Sequence, residues 1–170
     1  MLIVLRHLLS ILLLPFLAVV AMPYWLLASF SANDSRWGND LFIVWPAWIV
    51  GAAVTAVGLW LFIWCVSLFA RVGRGTLAPW DPTQKLVAVG PYQFVRNPMI
   101  SGVALLLISE ALFWGSYLVG LWACVFITIN HIYFVHSEEP GLIKRFGESY
   151  RIYQANVPRW VPRVKPWSGQ

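Results

Sequence analysis

The chain has 170 residues, 59% hydrophobic and 11% charged, with a mean hydropathy of +0.69. Soluble domains run roughly 45–50% apolar and about 25% charged, so a single soluble domain has no means of burying this much apolar surface. The 11 Trp, 10 Phe and 6 Tyr exclude intrinsic disorder, which leaves a lipid bilayer as the expected solvent.

Four apolar stretches follow in chain order, at about residues 8–30, 41–70, 98–114 and 117–136. A spanning helix needs about 20 apolar residues. The first, second and fourth meet that length; the third is short and calls for tilt or interfacial ends. The first stretch contains Pro15 and Pro23 and follows Arg6 and His7. It exceeds a signal-peptide core in length and has no clean A-x-A site, so a retained helix is expected. Residues 1–70 then read as an N-terminal transmembrane hairpin.

The net charge is +5 and the pI near 9.6. The basic residues lie between and after the apolar runs, so the membrane surface, not nucleic acid, is the expected partner. Segment 31–40 carries Arg36 against Asp34 and Asp40, whereas segment 71–97 carries Arg71, Arg74, Lys85 and Arg96 against Asp81. The tail beyond His136 adds Lys144, Arg145, Arg151, Arg159, Arg163 and Lys165. Counting Lys and Arg near helix ends puts both termini, the 71–97 loop and the tail on the cytoplasmic side. Cys65 and Cys124 both sit in apolar runs and read as packing residues.

Groups capable of chemistry gather in three places. Gly73-Arg-Gly-Thr-Leu-Ala78 matches G-x-G-x-x-A, but a spanning helix precedes it and Pro79 and Pro82 follow, so the strand–turn–helix that gives that pattern meaning is absent. Gly90-Pro91-Tyr92 marks a turn, Asn97 is a candidate N-cap, and Pro98 suits a first helical turn. Arg96 beside that helix N-terminus is either a snorkelling arginine or one half of an anion site. His131, Glu138 and Glu139 lie near the end of the fourth stretch. They read as an interfacial acidic pair closing the helix before Pro140-Gly141, or as site carboxylates whose partners are Arg96 and tail arginines. A metal site from His131, His136 and the glutamates lacks a recognised ligand spacing, and haem ligation by His7 and His131 is a further reading. Glu110 falls near the other membrane face and is read as interfacial. Residues 144–153 carry aromatic and basic positions in the manner of a surface-lying amphipathic helix.

Gly90-Pro-Tyr92-Gln-Phe-Val-Arg96-Asn97-Pro98-Met99, Gly102, Glu138-Glu139-Pro-Gly-Leu142, Arg145-Phe-Gly-Glu-Ser-Tyr150-Arg-Ile-Tyr153 and Val157-Pro-Arg159-Trp-Val-Pro162 occur in one order. This series, across about residues 71–165, resembles the isoprenylcysteine carboxyl methyltransferases and their relatives, the phospholipid N-methyltransferases. It departs from the family pattern at two positions, Asn97 standing for a histidine and Ile100 for a frequent tyrosine. The resemblance implies an all-α polytopic membrane protein with about four transmembrane helices, a C-terminal amphipathic helix and an extended tail. Residues 71–170 would form the methyltransferase-like core. It implies S-adenosylmethionine as cofactor, bound by Tyr92, Arg96, Asn97, Gly102, His131, Glu138, Glu139, Tyr150, Tyr153 and Arg159, with Arg96 and Glu139 catalytic and no metal. The acceptor is a small lipophile, an isoprenylcysteine-like carboxylate or a lipid amine, taken from the membrane; the oligomeric state stays open. Two rival classes are a non-enzymatic binding or assembly protein on the same fold and a haem or quinone redox protein.

Overall fold

The computed structural model describes residues 15–34, 36–38, 40–73 and 84–169. His7, the start of the first expected helix and the segment from Arg74 to Thr83 that holds most of the glycine pattern lie outside the described residues. Those described are helical, without strands: α1 (Leu17–Asn33), α2 (Leu41–Gly73), α3 (Pro98–Trp114), α4 (Tyr117–Phe146) and α5 (Glu148–Asn156). Helices α2 and α4, of 33 and 30 residues, are long and apolar enough to cross a membrane.

Two of these helices contain a proline that their geometry absorbs in the same way. In α1 a π-helical turn at Leu17–Ala21 stands just before Pro23, and in α4 one at Phe134–Glu138 stands just before Pro140. Proline lacks an N–H and its ring crowds the carbonyl of the preceding turn; the wider π turn accommodates both. This is why the fourth helix does not end at Pro140-Gly141, as the sequence leads one to expect, but continues to Phe146.

The bundle is held by close backbone contact. Along residues 41–68 of α2 the buried residues are Gly51, Gly58 and Cys65, spaced seven apart, so they share one face. At Gly58 an added Cβ would lie 3.0 Å from the Gly102 carbonyl oxygen, and at Gly102 it would lie 3.0 Å from the Gly58 oxygen. The two glycines therefore let the backbones of α2 and α3 touch, as small residues do between membrane helices. Helix α3 packs in turn on α4, and α1 packs against α4, where Trp122 Nε1 donates to the Ala18 carbonyl at 2.9 Å. The outer faces carry exposed Trp45, Trp48, Trp60, Ile63 and Ile129, as lipid-facing surfaces require.

The two ends of the bundle are built differently. At the turn end, Asn33 and Trp37 reach the residues around the Gly115-Ser116 turn. Trp37 Nε1 donates to the Leu112 carbonyl at 2.9 Å, and the Tyr117 hydroxyl donates to the Asn33 carbonyl at 2.6 Å. Gly115 has φ +63°, and a Cβ there would meet the Trp37 ring at 2.5 Å, so only glycine serves. At the loop end, segment 84–97 is enclosed between α2 and the tail. Val87 and Tyr92 pack on Cys65, Leu68 and Phe69, while Leu86 and Ala88 face Tyr150, Tyr153 and Val157.

Candidate functional site

The loop end gathers charge around one carboxylate. Glu139, 7% exposed, follows the π turn of α4. Arg96 Nη1 donates to its Oε1 at 2.9 Å. Arg159 grips it in a fork, Nε to Oε1 at 2.8 Å and Nη2 to Oε2 at 2.9 Å, and Gln154 Nε2 donates to Oε2 at 2.8 Å. Two bonds on each oxygen fill the acceptor capacity of a carboxylate. Loop, α4, α5 and tail thus converge on Glu139, and the two guanidinium groups offset its desolvation. Of the two readings the local charge pattern offers, the pairing with Arg96 and a tail arginine is the one present. Gln154 was not expected; its only signal is its place directly after the second tyrosine of Tyr150-Arg-Ile-Tyr153.

Main-chain bonds hold the tail to the loop. Arg96 N donates to the Pro158 carbonyl at 2.9 Å, Arg163 N to that of Phe94 at 2.9 Å, and Trp167 N to that of Gln93 at 3.0 Å. Arg96 is consequently fixed at both backbone and side chain. Its side chain is 10% exposed, yet its Nε is buried without a hydrogen-bond partner. A buried guanidinium N–H left without a partner is rare.

The three expected tyrosines form the wall behind this point. The Tyr153 hydroxyl donates to the Tyr92 carbonyl at 2.7 Å, the Tyr92 ring stacks on Phe69 at 5.6 Å, and its hydroxyl is hydrogen-bonded with Cys65. Burial drives the phenols of Tyr92 and Tyr153 above their ordinary range. Burial also pushes Tyr150 up to about 12, against the opposing pull of its hydrogen bond with Arg96. All three stay protonated near neutrality. The hydrogen bonds to Glu139 raise Arg159 above its usual value.

The remaining expected residues have other surroundings. Asn97 stands at the N-cap position of α3, but its side chain makes no cap bond; its carbonyl instead accepts from Ser101. Gly102 lies at the crossing with α2. His131 Nδ1 accepts from Trp160 Nε1 at 3.0 Å, which pins the tail tryptophan to α4. Glu138 is half-buried beside Glu139 and Arg145. No cluster of metal-ligating residues occurs among the described residues. A pocket of about 300 Å³ opens at the turn end, between Trp37, Ile108, Leu112 and Tyr117, away from these groups.

A helical membrane architecture thus carries a charged, tail-closed site at one end. Residues 46–149 match the phospholipid methyltransferase family, and the chain belongs to that family. A methanethiol S-methyltransferase from Pseudomonas sp. (strain GM41(2012)) is 27% identical over 169 aligned residues, covering 89% of this chain and 54% of the relative. The chain spans about half the length of that curated relative.

Proposed function

We propose that the chain is a membrane methyltransferase that uses S-adenosylmethionine and acts on a lipophilic acceptor from the bilayer. The observation that carries this reading is the free, buried Nε of Arg96 beside an α3 N-terminus that Asn97 leaves uncapped. Both favour a carboxylate, and Glu138 stands on the neighbouring helix to take an ammonium group. These residues fit an amino-acid-bearing donor. S-adenosylmethionine supplies a methyl group activated by its sulfonium.

In this reading the residues divide by task. Arg96 binds the donor carboxylate and Glu138 its ammonium. Glu139, with every acceptor position filled, positions Arg96 and Arg159 and takes no proton. Tyr150 presents a protonated hydroxyl, and Tyr92 and Tyr153 support the loop behind it. Trp160, set by His131, closes the site with the tail. Methyl transfer needs alignment and exclusion of water more than it needs a protein nucleophile.

The same geometry bears on the acceptor. The basic lone pair of His131 is engaged by Trp160 and the Glu139 carboxylate is saturated, so neither is poised as a base. A lipophilic carboxylate, already ionised, needs none and fits best. The half-buried Glu138 favours a second reading, in which it deprotonates a lipid amine or a thiol; a thiol is the acceptor named for the Pseudomonas relative. We further propose that α1 and α3 also span the bilayer, that residues 1–70 form an anchoring hairpin to a core over 71–170, and that the loop end faces the cytoplasm, where the excess of Lys and Arg lies.

Titration of the purified protein with S-adenosylhomocysteine tests the donor. Saturable heat is expected, and Arg96→Ala should weaken binding by about 1.5–3 kcal/mol. Folded protein that gives no heat refutes the cofactor reading. Radiolabelled methyl transfer into extracted membrane lipid and thioether acids then identifies the acceptor.

A further inference from the structure

The pocket at the turn end takes no part in the site above. Its volume of about 300 Å³ is at the small end of the range for ligand sites. Trp37, Ile108 and Leu112 of α3, and Tyr117 and Gly120 of α4 line it, and Arg36 stands among them. A glycine opens it. Gly58 and Gly102 let two backbones touch, but a Cβ added at Gly120 would meet only the Ala111 Cβ, at 3.9 Å. The missing side chain therefore leaves a furrow between α3 and α4 and does not draw the helices together.

The furrow runs from the membrane surface into the apolar layer. Exposed Trp37, Trp45, Trp114 and Tyr117 ring this end of the bundle, as aromatic residues do at headgroup level. Ile108 stands seven residues before Gly115 and Gly120 five after it, which sets the floor about 8–10 Å deeper than the turn. Ile108 is also exposed, so the furrow can be reached from the lipid side. Charge marks its mouth. The two acids of segment 31–40 are turned to helix starts: Asp34 Oδ1 accepts from Leu118 N at 3.4 Å with its side chain fully shielded, and Asp40 caps α2. Arg36 keeps 44% of its side chain exposed, and its ion pair with Asp34 is long, at 3.9 Å. It is the only Lys or Arg in residues 8–70. A furrow with an apolar floor and a cationic mouth at headgroup depth complements an acyl chain that carries a phosphate.

We propose that the turn end holds one phospholipid: an acyl chain lies along Ile108, Leu112 and Gly120, and the phosphate meets the Arg36 guanidinium in a charge-assisted bond. The site is at the opposite end of the bundle from Arg96 and Glu139 and does not depend on the methyl-donor reading.

The test uses the full chain in nanodiscs of phosphatidylcholine with added phosphatidylglycerol that bears a diazirine halfway along one acyl chain. After irradiation, peptide mass spectrometry should find adducts on residues 108–120 that saturate as the photolipid is increased. Lipid-facing Trp60 and Ile63 should label in simple proportion to it. Gly120→Leu fills the furrow and should abolish the saturable adduct, and Arg36→Gln should reduce it about fivefold. Both variants should keep the wild-type unfolding midpoint, since position 120 has room for a side chain and Arg36 is exposed. Saturable labelling that is unchanged in either variant overturns the site. So does labelling of residues 108–120 that never saturates, or displacement by an equal amount of a free fatty acid, which would make a carboxylate the occupant.

Discussion

The turn end and the loop end of the bundle satisfy their polar groups in different ways. At the turn end the starts of α2 and α4 are capped by side chains, with Asp40 accepting from Phe42 N and Ser116 from Val119 N. At the loop end the start of α3 has no side-chain cap. Among the described residues, the buried side-chain atoms without a hydrogen bond divide accordingly: Asp34 Oδ2, which has only a 3.9 Å ion pair with Arg36, and Glu110 Oε2, both acceptors, against Arg96 Nε, Arg163 Nη1 and Trp167 Nε1, all donors. Glu110 and Asp34 thus sit on the side away from the methyltransferase motifs. One end caps its helices with side chains; the other leaves its buried donors without hydrogen-bond partners among the described residues.

The largest expected effect strikes the hub of the loop end. Glu139→Leu leaves two guanidinium groups short of their shared carboxylate and should cost about 3–5 kcal/mol, read as a lower unfolding midpoint in mild detergent together with loss of S-adenosylhomocysteine binding. Wild-type stability in this variant would deny that Glu139 assembles the end. Gly58→Leu forces α2 off α3 and should cost about 1–3 kcal/mol by overpacking; Gly102→Ala should act in the same direction, because the clash is reciprocal. The smallest effect belongs to the turn end. Trp37→Phe removes one hydrogen bond, costs about 0.5–1.5 kcal/mol, and should leave S-adenosylhomocysteine affinity unchanged, distant sites being nearly independent. A fall in that affinity would show that the two ends do not act separately.

Some of this was readable from residues alone. The all-helical membrane character follows from apolar length, and the start of α3 at Pro98 and its end at Gly115 follow from the conformational limits of proline and glycine. The Glu139–Arg96–Arg159 cluster follows from acids placed in a basic region, together with the family resemblance. Other features escaped. The seven-residue spacing of Gly51, Gly58 and Cys65 was present in the sequence, but an apolar helix gives no polar contrast by which to see its buried face. Gly102, which the resemblance gives as a binding residue, also stands at a helix crossing that its sequence surroundings do not signal. The passage of α4 through Pro140 depends on a π turn, which no single residue signals. The inward face of α5 could not be told from a membrane-facing one, since both are aromatic, and only the loop packed against it decides.

The bonding of the tail to residues 93–96 also has a meaning in time. A ribosome delivers Arg96 well before it delivers Glu139, Gln154 and Arg159. During that interval the arginine has only water and lipid headgroups for company. The loop end cannot complete its contacts until Arg159 has been made, and the closing stretch from Val157 to Trp167, bonded to the loop, acts as the drawstring of the fold. Chains halted before Arg159 should insert normally yet remain open to protease at the loop, while those extended through Trp167 should become resistant in one step.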